Sequence, residues 1–185
     1  HSTFHIGVDG LSLAMVLLTT LLTPLALLAS FNITEKVKAY MMLFLFLEAG
    51  MLGVFMALDL LIFFVFWEIG LVPMYFLINQ WGSPKGEREL WGGMKVSARN
   101  YASLKFMIYT MAGSLGLLLA IQMLGVLFQN YDLAYLYKEW NALPADGVML
   151  GMSVATVKTV AFWAFVIAFA LKVPVWPFHT WLPDA

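Results

Sequence analysis

Glu68 is the only ionisable residue in an apolar run of 19 residues, Leu60–Ile78, and it sits close to the middle. Such a run is long enough to cross a bilayer, which takes about 20 residues at 1.5 Å each. A bare carboxylate at that depth is expensive. It therefore faces a bundle interior or water, pairs with a cation, and serves an ion or proton route. Five residues on, Pro73 cannot donate to the carbonyl of Ile69. The helix is expected to bend just after the carboxylate and to leave a polar carbonyl near it. A second charge, Lys172, ends another long apolar run, two residues before Pro174 and five before Pro177. Two prolines so close are expected to break the helix beside the lysine, exposing carbonyls to an ammonium or a file of water. Glu68 and Lys172 thus form a candidate proton-transfer pair, switching between a tight ion pair and a separated, proton-exchanging state. The plainer readings are a protonated Glu68 hydrogen-bonded inside a bundle and a Lys172 snorkelling at a helix end.

Two more ionisable groups fall inside spans. Glu48 is about mid-span on an otherwise apolar helix, where Gly50 and Gly53 permit close packing, and it reads equally as functional or structural. Lys105 is about four residues into its span. It is a candidate relay, although a snorkelling or loop-facing lysine is the simpler account. Asp9 and Asp59 read as helix caps or turn residues, and Gly113 and Gly116 as helix packing.

These groups need helices to hold them. The chain is 62% hydrophobic and 11% charged, with mean hydropathy +0.86. A soluble domain carries about 25% charged residues, so this is an integral membrane protein. Continuous apolar runs indicate helices and not a barrel. The expected architecture is an all-α, polytopic bundle in a single membrane domain over 1–185, with spans near 11–31, 39–58, 60–78, 101–128 and 154–172. Between them lie a charged turn at 32–38, a polar loop from Trp81 to about Asn100, and an amphipathic connector over 129–152 with turn signals at Leu143-Pro144 and Asp146-Gly147. Tyr40, Trp81, Tyr101, Tyr131, Tyr135 and Trp140 fall near the expected edges, as an aromatic belt does.

Basic residues divide unevenly across the bilayer. Lys36, Lys38, Lys85, Arg88, Lys95 and Arg99 flank one side, Lys138 and Lys158 the other. That bias places residue 1 outside and the loops 32–38 and 82–100 and the C-terminal end in the cytoplasm. A net charge of −1 argues against a nucleic-acid partner. With no cysteine, thiolate metal sites and Cys-ligated clusters are excluded on this chain. His1, His5 and His179 lack the spacing of a metal or haem site. The chain starts at His1 and stops at Asp184-Ala185 with no polar tail, which reads as an internal piece of a longer protein.

Several motifs together resemble a known family. Phe66-Trp67-Glu68, Pro73 and Trp81-Gly82, then Lys105-Phe106-Met107-Ile108-Tyr109-Thr110 with Gly113-Ser114, are similar to the antiporter-like subunits of proton-pumping NADH dehydrogenase, complex I. The block from Lys172-Val173-Pro174-Val175-Trp176-Pro177-Phe178-His179 to Trp181-Leu182-Pro183-Asp184-Ala185 matches that family's most recognisable signature, and Gly7-Val8-Asp9-Gly10 fits the entry to its third helix. Among homologous subunits the details resemble chain 4, or subunit M. The resemblance implies a fold of about fourteen helices with two inverted repeats, of which this chain holds the third to the seventh, the seventh being broken. It implies that Glu68 is the essential glutamate of the fifth helix, Lys172 the lysine of the broken helix, and Lys105 a basic residue of the sixth; His179 becomes a further candidate relay. It also implies proton translocation coupled to quinone reduction elsewhere, with no cofactor on this chain, and with NADH, FMN, iron-sulfur clusters and quinone on other subunits. Part of the proton path is then outside these residues, and the loop Ser83–Asn100 is longer than the resemblance leads one to expect. Partners are the other membrane subunits of the complex and the lipid bilayer, in a location most consistent with the bacterial inner membrane. The alternatives are a subunit of a cation/proton antiporter or membrane-bound hydrogenase, and a structural scaffold whose buried charges only hold helices together.

Overall fold

Apolar segments in lipid must close their backbone hydrogen bonds internally, and here they do so as helices. The computed structural model describes residues 2–90, 92–144, 147–149 and 151–185. His1, and Asp146 of the expected Asp146-Gly147 turn, lie outside them. Helix α1 (Gly10–Ala29) starts at a full capping box. The Asp9 carboxylate accepts the N–H groups of Leu11 and Ser12, and the Ser12 hydroxyl accepts that of Asp9. α2 (Val37–Met56) follows the charged turn, and the third span is two helices, α3 (Leu60–Ile69) and α4 (Leu71–Trp81), abutting at Gly70. The stretch expected as a polar loop forms a hairpin instead. Strands β1 (Glu87–Glu89) and β2 (Lys95–Ser97) pair antiparallel, Arg88 opposite Val96. Gly92 and Gly93 take φ +87° and +80° in its turn, backbone that glycine adopts without strain. α5 (Ala98–Phe128) therefore starts earlier than expected from hydropathy, and its 31 residues run about 46 Å, well beyond a bilayer core of about 30 Å. The connector folds as α6 (Leu133–Ala142) and a short hairpin, β3 (Val148–Met149) with β4 (Met152–Ser153), before α7 (Val154–Lys172) and a 3₁₀ turn, Phe178–Trp181. Five of these segments, 10–29, 37–56, 60–81, 98–128 and 154–172, are long and apolar enough to span a membrane. The all-α membrane bundle expected from composition is what forms.

α5 is the central helix, with α4 and α7 packed along it. Near the end opposite the β1–β2 hairpin, Leu60, Leu117, Ile121, Leu124, Leu136 and Ala168 form one buried cluster. Nearer the hairpin, Leu71, Ile78, Ala102, Phe106 and Trp181 form another. Leu136 lies in the first because the chain turns back after α5. The Tyr131 ring lies against Gly125, where any side chain would overlap it, and its hydroxyl donates to Gln122 at 3.0 Å. Tyr131 is therefore folded inward. Tyr40 departs from the belt too: it is buried, its ring 5.2 Å from that of Trp81 and its hydroxyl 2.8 Å from that of Ser30.

Glycines decide how closely α2 approaches the third span. A Cβ at Gly53 would collide with the Phe66 ring, and one at Gly50 would press on the Gly70 backbone at 3.2 Å. Gly113 likewise gives way to Leu171, but Gly116 faces open space, so only the first of that pair packs a helix as expected.

Residues 2–7, 57–60 and 131–133 form one knot on the face opposite the hairpin. Ile6 bridges Ala57 and Asp59 bridges Asp132. Leu60 donates to the Tyr131 carbonyl at 2.9 Å, and Leu133 to that of Leu58 at 2.8 Å. Asp59, 0% exposed, takes donors from the Ser2 hydroxyl and the N–H groups of Thr3, Leu61 and Ile62 at 2.9 to 3.2 Å. It is both the cap of α3 and the centre of the knot.

Candidate functional site

Two helix ends meet halfway along α5. The last four carbonyls of any helix lack a partner in their own helix, and the interruption at Gly70 places those of α3 inside the bundle. Pro73 adds to this by offering no N–H to Ile69, and even the bond from Met74 to the Gly70 carbonyl is long at 3.4 Å. The helix is thus interrupted just after Glu68, at the single residue Gly70, whose φ of −69° and ψ of −18° stay close to helical backbone. α7 ends at Lys172 in a similar way. Val173 donates to the Phe169 carbonyl and Val175 reaches back to that of Ala170 at 2.9 Å. The Leu171 carbonyl is taken by the Trp181 indole N–H, also at 2.9 Å.

Lys172 reaches from one break to the other. Its Nζ donates to the Trp67 carbonyl at 3.3 Å and stands 4.8 Å from the centre of the Trp67 ring. The Trp67 indole N–H in turn donates to the Ser114 hydroxyl at 3.3 Å. Because Leu171 seats on Gly113 and Trp67 on Ser114, both breaks lie at the midpoint of α5. Lys172 thus lies alongside the middle of α5.

Glu68 is beside this contact but not in it. Its Oε1 is buried and has no hydrogen-bond partner among the described residues. No ion pair within 4.0 Å joins it to Lys172 among those residues. In this structure the two side chains are apart, with Lys172 on the Trp67 carbonyl. This leaves one carboxylate oxygen able to receive a proton or an ammonium.

The other residues singled out lie elsewhere. Pro174 and Pro177 flank the backbone irregularity after α7, whose 3₁₀ turn carries His179 exposed. Glu48 is half-buried on α2 and makes no side-chain hydrogen bond or ion pair among the described residues. Lys105 faces the hairpin end of α5 and is paired there. Its Nζ is 2.7 Å from Asp184 Oδ2 and 5.6 Å from the Tyr101 ring centre, while Arg88 approaches Asp184 Oδ1 at 3.9 Å. It lies about 13 Å along α5 from Ser114. A pocket of about 260 Å³ opens beside it, lined by Glu89, Leu90, Tyr101 and Tyr109 among others. No group of three or more His, Asp or Glu among the described residues is placed to hold a metal ion.

Sequence reasoning overlooked Trp67, Ser114, Trp181 and Asp184. A signal for Trp67 was available: a break after Glu68 frees every carbonyl of the preceding turn, not that of Ile69 alone.

Comparison with known proteins agrees with this architecture. Residues 57–185 match the family model described as NADH:quinone oxidoreductase/Mrp antiporter, TM, and residues 1–58 that of NADH-ubiquinone oxidoreductase chain 4, amino terminus. The chain is 41% identical over 184 residues to NADH-quinone oxidoreductase subunit M of Rhodobacter capsulatus, covering 98% of this chain and 33% of that protein. It is 40% identical, covering 98% and 31%, to NAD(P)H-quinone oxidoreductase chain 4 1 of Synechococcus sp. (strain JA-3-3Ab). The chain spans about a third of the length of the curated relatives it matches. A solved structure of the membrane-bound sulfane sulfur reductase, an archaeal respiratory membrane complex, shares the fold with TM-score 0.72 at 20% identity, over 97% of this chain and 25% of that one. The chain belongs to the NADH:quinone oxidoreductase/Mrp antiporter transmembrane family, as a stretch of an antiporter-like membrane subunit related to subunit M and chain 4.

Proposed function

We propose that this chain is part of a proton-translocating membrane subunit of an NADH:quinone oxidoreductase, and that Glu68 and Lys172 exchange protons at its centre. The observation that carries the reading is the buried, unpartnered Glu68 Oε1 beside a lysine held at the same depth by two interrupted helices. A carboxylate kept in lipid surroundings without a partner is costly for a scaffold to maintain and useful to a carrier, because it can accept either a proton or the neighbouring ammonium. Redox chemistry belongs to other subunits in this reading, where NADH, FMN, iron-sulfur clusters and quinone act; this chain supplies charge movement. Lys105, Glu48 and His179 are proposed as outer relays. The Lys105–Asp184 pair beside its pocket offers the most direct access from the hairpin face.

The basic residues support an orientation with residue 1 outside and the hairpin face in the cytoplasm, in a bacterial inner membrane. The chain is then one piece of a single membrane domain that packs against homologous antiporter-like subunits and lipid. A multi-subunit cation/proton antiporter is the second reading, since one family model describes both kinds of protein.

The test is proton pumping in membrane vesicles carrying Glu68→Gln in the full-length subunit, with assembly of the complex measured in parallel. Pumping is expected to be lost in an assembled complex. Unchanged pumping returns Glu68 to a purely structural role.

A further inference from the structure

Trp67 makes both contacts to Lys172, and it does so with parts of the residue that no helix would otherwise present together. Its carbonyl is among the last four of α3, released by the break at Gly70, and it takes the ammonium at 3.3 Å. The face of its indole lies 4.8 Å from the same Nζ. The ring is held on three sides: the indole N–H donates to Ser114, Phe63 lies 5.6 Å away, and Phe169 meets it edge-on at 5.5 Å. A π-face in apolar surroundings attracts a cation more strongly than one in water. Meanwhile the adjacent residue, Glu68, keeps a buried oxygen without a partner among the described residues. Lys172 rests on the residue beside the carboxylate and not on the carboxylate itself.

We propose that Trp67 is a positioning residue that gives Lys172 a second resting place, distinct from the Glu68 ion pair, with Ser114 fixing the indole that forms it. This rests on the reading of Glu68 and Lys172 as the proton-exchanging pair. A two-state switch needs both positions to be comparably favourable, because a lysine with nowhere else to go stays on its carboxylate. The Trp67 carbonyl and ring supply the alternative without adding a second charge to the membrane.

The experiment uses the full-length subunit in its complex, comparing pumping rates of Trp67→Leu, Trp67→Phe, Ser114→Ala and Glu68→Gln, with assembly checked for each. Trp67→Leu keeps the carbonyl and removes the aromatic face, and is expected to slow pumping about tenfold. Trp67→Phe restores a face and is expected to stay within about twofold of the unaltered protein. A high-resolution structure of Trp67→Leu is expected to place Lys172 Nζ within 4.0 Å of the Glu68 carboxylate, the ion-pair distance that is absent here. Equal rates for Leu and Phe, or a Lys172 that stays on the residue 67 carbonyl, overturn the proposal. Should Trp67→Leu fail to assemble, Ser114→Ala decides, since it removes only the acceptor for the indole: about a twofold slowing supports the proposal and an unchanged rate overturns it. Glu68→Gln separates the two claims. If it pumps normally, the pair reading itself fails; if it is inactive while Trp67→Leu is normal, the resting place alone fails.

Discussion

Asp59 and Glu68 are two carboxylates on one span, nine residues apart, and the protein treats them in opposite ways. Asp59 is fully buried and surrounded by donors from the N-terminal arm and from its own helix. Glu68 is placed farther along the span, just before the interruption at Gly70, with Oε1 left without a donor among the described residues. A charge that is completely hydrogen-bonded fixes a structure, because moving it would orphan every group bound to it. A charge left short of partners gains from each new proton or cation that arrives. The difference separates a fixed anchor from the carboxylate that the proposed proton exchange uses, within one hydrophobic segment.

Substitutions at the two positions should therefore have crossed effects. Glu68→Gln is expected to lower pumping by about a hundredfold while assembly and melting stay near normal, since no hydrogen bond to Oε1 is lost. Asp59→Ala is expected to cost about 3 kcal/mol or more, by stranding the donors of Ser2, Thr3, Leu61 and Ile62. Its signature is poor assembly in native gels with normal pumping per assembled complex. If both variants lose pumping without losing assembly, the contrast collapses. Between the two sites, Gly53→Ala forces its methyl group into the Phe66 ring, next to Trp67. A loss of about 1 to 3 kcal/mol is expected in thermal melting, because the ring has to shift in a packed interface.

The smallest effect is expected at the rim of the Asp59 knot. The Tyr135 N–H, and then the hydrogen bond from His5 at 2.7 Å, hold the Asp132 carboxyl below its ordinary value of 3.8. A depressed carboxyl stabilises the folded state above pH 3.8, and that contribution fades as pH falls through the lower folded value. The melting temperature of the unaltered protein should exceed that of Asp132→Asn near neutral pH, and the gap should close below pH 3.8. A gap that persists there would assign the difference to the shape of the cap and not to its charge.

Much of this contrast was legible in the sequence. A lone Glu among apolar residues announces itself by the mismatch between its charge and its surroundings, and Lys172 before Pro174 and Pro177 does so again. Asp59 was legible only as a cap. The Ser2 and Thr3 donors come from more than fifty positions away, and no local pattern encodes them. Backbone atoms were hidden for another reason: the carbonyl that holds Lys172 has the same chemistry in every residue, and only the break makes it available. Glycine misled in one case. Gly113 and Gly116 have the same letter, yet helical periodicity turns one toward Leu171 and the other toward open space. The β1–β2 hairpin was read as loop because its strands are three residues long, too short for alternation to register.

The grip of Lys105 and Arg88 on Asp184 has a mechanical consequence. Leu171 is seated on Gly113 and Asp184 is clasped by Lys105, so the chain between them is fastened at both ends to the same helix, α5. Trp181, buried against Phe106, and the Thr180 hydroxyl, donating to that of Tyr109 at 2.8 Å, fasten it again just before its far end, so only the stretch from Val173 to about Phe178 is left to bow. The proposed travel of Lys172 between Trp67 and Glu68 then calls for flexing of the irregular backbone around Pro174 and Pro177, while the rest of α7 keeps its seat. Asp184→Asn would then loosen only the last residues, because Trp181 still holds the chain against Phe106.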